Sequence, residues 1–304
     1  MIKYLFFLSF FLSSIFASNA FISPSELKTS LEDKNLIIID VDKKSLFTKG
    51  HIENSVNANV LAFIDKPINV NPNNLQNLSL QKKMNLASSR VIQKELRRLG
   101  INKDSKIIIY DHNTDDGMQK SAFLAFVLIH SGFDDVQILD GGYMSWVFQN
   151  QILVSTNISK VEKYGNIEVQ PRKQLLINTS YLKKNISKVK ILDTRSPRHY
   201  FGVLKSNKID RLGHIPKAMS SFDVDKFHID YTLRKQEELD AIYLTGHELK
   251  NSDEIIVYSD NLINSAMEWY ILYKQMGFIN TKIYENSLLE WGNNNYPLIK
   301  FKWE

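Results

Sequence analysis

The chain has 304 residues, 43% of them apolar, with 38 Lys and Arg against 33 Asp and Glu for a formal charge of +5. That is enough to fill one large core or two ordinary ones, and the positive charge is scattered in short pairs such as Lys183-Lys184, which excludes a nucleic-acid stripe. Cysteine is absent, which excludes disulfides, thiolate metal sites, lipid attachment through an N-terminal Cys and thiol nucleophiles.

At the N-terminus, Lys3 precedes an apolar run from Tyr4 to Ala17, and Ser18-Asn19-Ala20 offers small residues at both cleavage-determining positions. This pattern predicts a secretory signal peptide over residues 1–20, a mature chain beginning at Phe21, and a periplasmic or secreted protein. The run is shorter than the roughly twenty residues that span a bilayer. No stable membrane insertion is expected after cleavage.

The rest reads as one unit written twice. The first unit, 21–152, carries Leu36-Ile37-Ile38-Ile39-Asp40, then Gly50-His51-Ile52, a Pro- and Asn-rich loop over 65–77, Lys106-Ile107-Ile108-Ile109-Tyr110, an apolar helix over 121–130 stopped by Gly132, and Asp140-Gly141-Gly142 leading to Trp146. A polar stretch with Pro171, 153–172, reads as a linker. The second unit, 173–304, repeats the order: Val189-Lys190-Ile191-Leu192-Asp193, Gly213-His214-Ile215-Pro216, Glu254-Ile255-Ile256-Val257-Tyr258, a helix over 265–276 before Gly277, and Tyr284-Glu285-Asn286 leading to Trp291. The spacing from Gly132 to Trp146 and from Gly277 to Trp291 is 14 in both. Short β-branched runs alternating with helical stretches predict an α/β fold of two domains, each a mainly parallel sheet flanked by helices. A strand, a loop and a helix N-terminus in succession make an anion cradle, because unpaired N–H groups converge on the loop.

These motifs, in this order and duplicated, resemble the rhodanese family, specifically the tandem-domain thiosulfate and mercaptopyruvate sulfurtransferases. Asp193-Thr194-Arg195, Gly213-His214-Ile215-Pro216-Lys217-Ala218 and Asp140-Gly141-Gly142-Tyr143-Met144-Ser145-Trp146 follow the family pattern most closely. The resemblance spans nearly the whole mature chain and implies that the C-terminal domain would be the catalytic one. It also implies that the nucleophilic Cys would be the first residue after the strand-end Tyr. Ser259 stands there, heading the loop Ser259-Asp260-Asn261-Leu262-Ile263-Asn264, and Asp111 is its counterpart in the first domain, which in such tandem proteins is inactive. The same resemblance implies that Arg195, Asp260, Asn261, Leu262, Ile263 and Asn264 would line an anion- or substrate-binding site. The second arginine expected just before Tyr200 is instead His199, and Asp260 brings a negative charge that opposes a dianion.

A serine hydroxyl is far harder to ionise than a thiol of pKa about 8.5 and cannot hold sulfur as a persulfide, so Cys-dependent transfer is expected to be absent. Asp193 and His214 are expected to organise loops by hydrogen bonding. A hydrolytic triad of Ser259 with His199 or His214 and Asp193 lacks any nucleophile-elbow motif. The run from Asp111 to Asp116 could suit a hard cation but departs from calcium-loop spacing, and a solvated acidic loop is expected. No metal and no cofactor are expected. The expected partner is a small inorganic or organic anion or a protein, with no nucleic acid. The functional alternatives are noncovalent presentation of a sulfur compound to a partner sulfurtransferase, or a pure interaction scaffold.

Overall fold

A computed structural model describes residues 20–65, 83–150, 154–157 and 163–304. Residues 1–19 of the expected signal peptide and residues 66–77 of the expected loop lie outside the described residues.

The first half opens with β1 (Phe21–Ile22) and α1 (Pro24–Ser30). The Ser23 hydroxyl accepts from the Glu26 N–H, the Glu26 carboxylate accepts from the Ser23 N–H, and Pro24 sits where a helix needs no amide donor. Next come β2 (Leu36–Asp40), α2 (Lys44–Phe47), β3 (His51–Ile52) and β4 (Val56–Asn57). α3 (Ser89–Arg98) buries Ile92 and Leu96, four positions apart and therefore on one face. β5 (Lys106–Tyr110), α4 (Gly117–His130), β6 (Val136–Leu139) and α5 (Gly142–Asn150) complete the half. The five-stranded sheet is parallel, in the order β1-β6-β5-β2-β4. The isoleucine runs form the central strands β2 and β5, which are covered on both faces.

The stretch read as a linker is tied to the first half. β7 (Val154–Ser155) pairs antiparallel with β3, and the N–H groups of Gly165, Ile167, Gln170 and Arg172 donate to the carbonyls of Arg97, Ile101, Ser131 and His130.

The second half repeats the order with β8 (Leu176–Ile177), α6 (Thr179–Asn185), β9 (Lys190–Asp193), α7 (Pro197–Phe201), β10 (Ala218–Ser220), α8 (Gln236–Asp240), β11 (Ile255–Tyr258), α9 (Leu262–Tyr270), β12 (Thr281–Tyr284) and α10 (Ser287–Trp291). Its parallel sheet runs β8-β12-β11-β9-β10, strand for strand the order of the first. The helix expected over 265–276 starts earlier, at Leu262. Its regular part ends at Tyr270, and Ile271–Gln275 continue as a wider π turn closed by Gly277, whose positive φ of 76° ends the helix.

The halves meet helix on helix, α4 against α9. Each lies between its own sheet and the other helix: α4 is buried on every side from Ser121 to His130, and α9 buries its one charge, Glu268, in an ion pair with Lys226. Phe126 packs edge-on to Trp269 at 4.8 Å, and one core of buried side chains runs through both halves. Ala20, the last residue assigned to the signal peptide, is fully buried at this seam. Its carbonyl accepts from the Tyr270 hydroxyl at 2.6 Å and from the Ile138 N–H at 3.0 Å. Trp146 and Trp291 are buried in the cores flanking the two sheets.

Candidate functional site

Ser259 follows β11 directly and is only 4% exposed. Its loop is held from below by α10: the Leu288 N–H donates to the Ser259 carbonyl and the Leu289 N–H to the Asp260 carbonyl. Asn261 caps α9, its side chain accepting from the Asn264 N–H at 3.2 Å. Ser259 opens onto a cavity of about 290 Å3 at the C-terminal ends of the parallel strands, where open α/β sheets bind ligands. Thr194, Ser196, His199, Asp223 and Asn264 line it from the second half, and Asp115, Asp116 and Gln119 close it from the first. Among the described residues no hydrogen bond reaches the Ser259 hydroxyl.

The six expected binding residues divide. Arg195, Asp260 and Asn264 line this cavity with Ser259. Leu262 is fully buried beneath it, and Asn261 and Ile263, with Asn264, face a separate groove shared with Lys43, Lys44 and Lys120. Arg195 differs most from expectation. Its Nε and Nη2 donate to Asp193 at 2.9 and 2.7 Å, Nη2 also donates to the Gly213 carbonyl, and Nη1 lies 3.8 Å from Asp260 Oδ1. A buried guanidinium requires a partner, and Asp193 supplies it at the expense of any anion. The helix N-terminus is likewise partly closed, since Asn261 already occupies the Asn264 N–H.

Asp193 anchors a wider network. It also accepts from the Tyr258 hydroxyl at 2.7 Å, and that hydroxyl in turn accepts from the Ile215 N–H. His214 Nδ1 bonds the Tyr200 carbonyl at 2.8 Å and its ring stacks on Tyr200. His199 Nδ1 bonds the Ser196 hydroxyl, so neither histidine is joined to Ser259 and the hydrolytic triad is not assembled.

Burial dominates the electrostatics. It pushes the Asp223 carboxyl up to about 7, although Gln119 donates to that carboxyl across the seam at 2.8 Å. It also raises Asp260, whose Oδ2 accepts from the Ser206 hydroxyl while its buried Oδ1 has no hydrogen-bond partner among the described residues. It lowers His199, favouring the neutral ring.

The first half's equivalent loop is filled from within. Asp111 Oδ1 accepts from the Asn113 N–H at 2.8 Å and Oδ2 from the Ser121 hydroxyl at 3.0 Å. Gly117 is required there, because a Cβ would lie 2.5 Å from Asp111 Oδ1. Asp42 accepts from the His112 N–H, the Thr114 hydroxyl and Lys120, so the acidic loop is largely satisfied by its neighbours.

Asp115, Asp116, Gln119 and Asp223 were not read from sequence as parts of the second site. The first three belong to the other unit's loop and helix, and Asp223 opens a short 3-10 helix, Asp223–Lys226, after β10 and carries no motif.

The description "Rhodanese-like domain" matches residues 23–149 and 178–294. The chain is 25% identical over 287 residues to the sulfur carrier protein TtuD of Thermus thermophilus, covering 90% of this chain and 93% of that one. It is 23% identical over 286 residues to the thiosulfate sulfurtransferase of Corynebacterium glutamicum, covering 90% and 87%. Among solved structures, YnjE superposes with a TM-score of 0.77 at 18% identity, covering 93% of this chain and 68% of that one. The anaerobic ergothioneine biosynthesis enzyme of Chlorobium limicola, solved with trimethyl histidine, superposes at 0.75 and 18%, covering 93% and 70%; both likenesses concern the fold. With both halves matched, the chain belongs to the rhodanese family of sulfur metabolism, as a tandem of two such domains without a cysteine.

Proposed function

We propose that this is an exported, periplasmic or secreted rhodanese-family protein that has lost covalent sulfur transfer and works by holding a small ligand in the cavity over Ser259. The observation that carries the reading is Ser259 itself: buried, without a hydrogen-bond partner among the described residues, and facing a cavity walled by both halves. A thiolate at this place would take a sulfane sulfur as a persulfide; a hydroxyl neither ionises near neutral pH nor stores sulfur in that way. The relatives' names support the sulfur-metabolism setting, and the cavity supports retained binding. The test is thiosulfate-to-cyanide transfer by the wild-type chain. Background rates are expected, and clear turnover would end the proposal.

A second reading, presentation of a bound sulfur compound to a protein partner, is favoured by an exposed aromatic patch beside the cavity. Phe301 and Trp303 are 61% and 56% exposed and pack on Phe201 of α7, the helix that also carries His199. Its test is whether a sulfurtransferase with a free thiol gains rate on thiosulfate when this chain is added.

A further inference from the structure

The cavity over Ser259 is walled by carboxylates. Asp115 and Asp116 face it from the first half, Asp223 and Asp260 from the second. Four cationic groups stand near them: Arg195, Lys120, Lys226, which acts on Asp223 but is ion-paired with Glu268 at 3.4 Å, and Arg198, which acts on His199. Arg195 is neutralised by Asp193 at 2.7 Å, and Lys120 is shared between Asp116 and Asp42 at 2.6 and 3.2 Å. His199 is held toward its neutral form by burial. The wall therefore keeps an excess of negative charge even with Asp223 partly protonated, and a confined site of one sign attracts the opposite sign.

A further observation points to a ligand. The Ser259 hydroxyl, on a residue 4% exposed, turns to this cavity with no partner among the described residues. Asp260 Oδ1 accepts no hydrogen bond among the described residues, but it faces the Arg195 guanidinium at 3.8 Å, and that ion pair leaves the Asp260 carboxylate part of the negative wall. Phe222 adds an aromatic side chain to the wall, a surface on which cations rest favourably. The described residues hold no grouping of three His, Asp or Glu fit for a metal ion, and about 290 Å3 is the size of a small organic molecule.

We infer that the ligand of this cavity is a small organic cation of the amine or guanidinium class, in place of the anion expected from the sequence. This rests on the proposed reading of the cavity as a ligand site. The cationic N–H groups bond the Ser259 hydroxyl oxygen, and the charge is balanced by the carboxylates of Asp260 and, across the seam, Asp115 and Asp116.

The test is titration calorimetry of the full-length protein with putrescine and agmatine, against thiosulfate and sulfate at constant ionic strength. At least one of the two cations is expected to bind and both anions to fail. Asp260→Asn is expected to weaken cation binding about tenfold, the value of one well-placed charge interaction. Asp115→Asn, at an exposed position that leaves folding intact, is expected to weaken it about threefold, as a screened surface charge does. Binding of thiosulfate or sulfate without either cation would overturn the assignment. So would silence from all four probes, or cation binding indifferent to both substitutions. None of these touches the loss of covalent transfer, which fails separately if the wild-type chain turns over thiosulfate.

Discussion

Asp111 and Ser259 occupy the same place in the two halves, each one residue beyond a tyrosine paired in register with a strand-end aspartate: Tyr110 with Asp40, and Tyr258 with Asp193. The Asp111 carboxylate turns back to accept from Asn113 and Ser121, whereas the Ser259 hydroxyl accepts nothing within the described residues. One copy of the loop is filled by its own side chain. The other is left open to a cavity.

Restoring sulfur to that open loop is expected to fall short. In Ser259→Cys the thiol would be buried beside Asp260, with Arg195 already committed to Asp193, and both burial and the carboxylate hold a thiol pKa above its usual value of about 8.5. Alkylation by iodoacetamide should titrate with a midpoint above that value, and thiosulfate-to-cyanide transfer should stay at background. Rapid turnover would mean that the nucleophile alone was missing.

Asp223 makes stability depend on pH in a defined direction. Burial raises its folded pKa to about 7, against about 3.9 in an unfolded chain. Between those values the folded protein keeps a proton that the unfolded chain releases. The stabilising contribution is therefore complete below about pH 4 and is lost as the pH rises to 7. Asp223→Asn does not ionise, so its stability relative to wild type should climb from pH 4 to pH 8 by about 4 kcal/mol. Urea unfolding of both proteins across that range measures it, and a constant difference would refute it.

Gly213 is fixed by both space and backbone. Its φ is +107°, and a Cβ would lie 2.1 Å from the Ile299 carbonyl oxygen, which also accepts from the His214 N–H at 3.0 Å. Gly213→Ala is expected to lose about 3 kcal/mol or more, well above the usual cost of an Ala at a positive φ, because backbone must move as well. Chemical denaturation reads this directly.

The Tyr270 hydroxyl holds the N-terminal segment. Tyr270→Phe removes its bonds to the Ala20 and Val136 carbonyls and should cost about 1–2 kcal/mol. The same geometry bears on processing. Removal of a leader after Ala20 would delete a buried carbonyl that also receives the Ile138 N–H, whereas removal after Ala17 would keep it. On the proposed export, intact mass of the processed protein should show a chain that retains Ala20; a chain starting at Phe21 would contradict this.

Much of the architecture was legible because its signals are local. Isoleucine runs such as Ile107 to Ile109 must be buried on both faces, and the Gly-His-Ile turns recur at matching positions, so the duplicated parallel sheets follow from the sequence alone. The loop after Tyr258 was legible for the same reason. The wall opposite it was not. Asp115, Asp116 and Gln119 lie more than a hundred positions before Ser259 and meet it only because α4 and α9 pack face to face. Nor could spacing reveal which way Arg195 turns, since an Asp two positions away and an external anion satisfy a guanidinium equally well on paper. The register of the buried network decides between them.

The seam between α4 and α9 bears on why a domain with a self-filled loop persists at all. Severed from its neighbour, either half would show water a helix face rich in large apolar side chains such as Phe126 and Trp269, a surface that draws copies together. Mutations that erode the first loop are tolerable, while deletion of that half would strip one wall from the cavity and half the lining from the common interior. The duplication thus behaves as a ratchet: its members are free to diverge in chemistry and bound to remain together in folding.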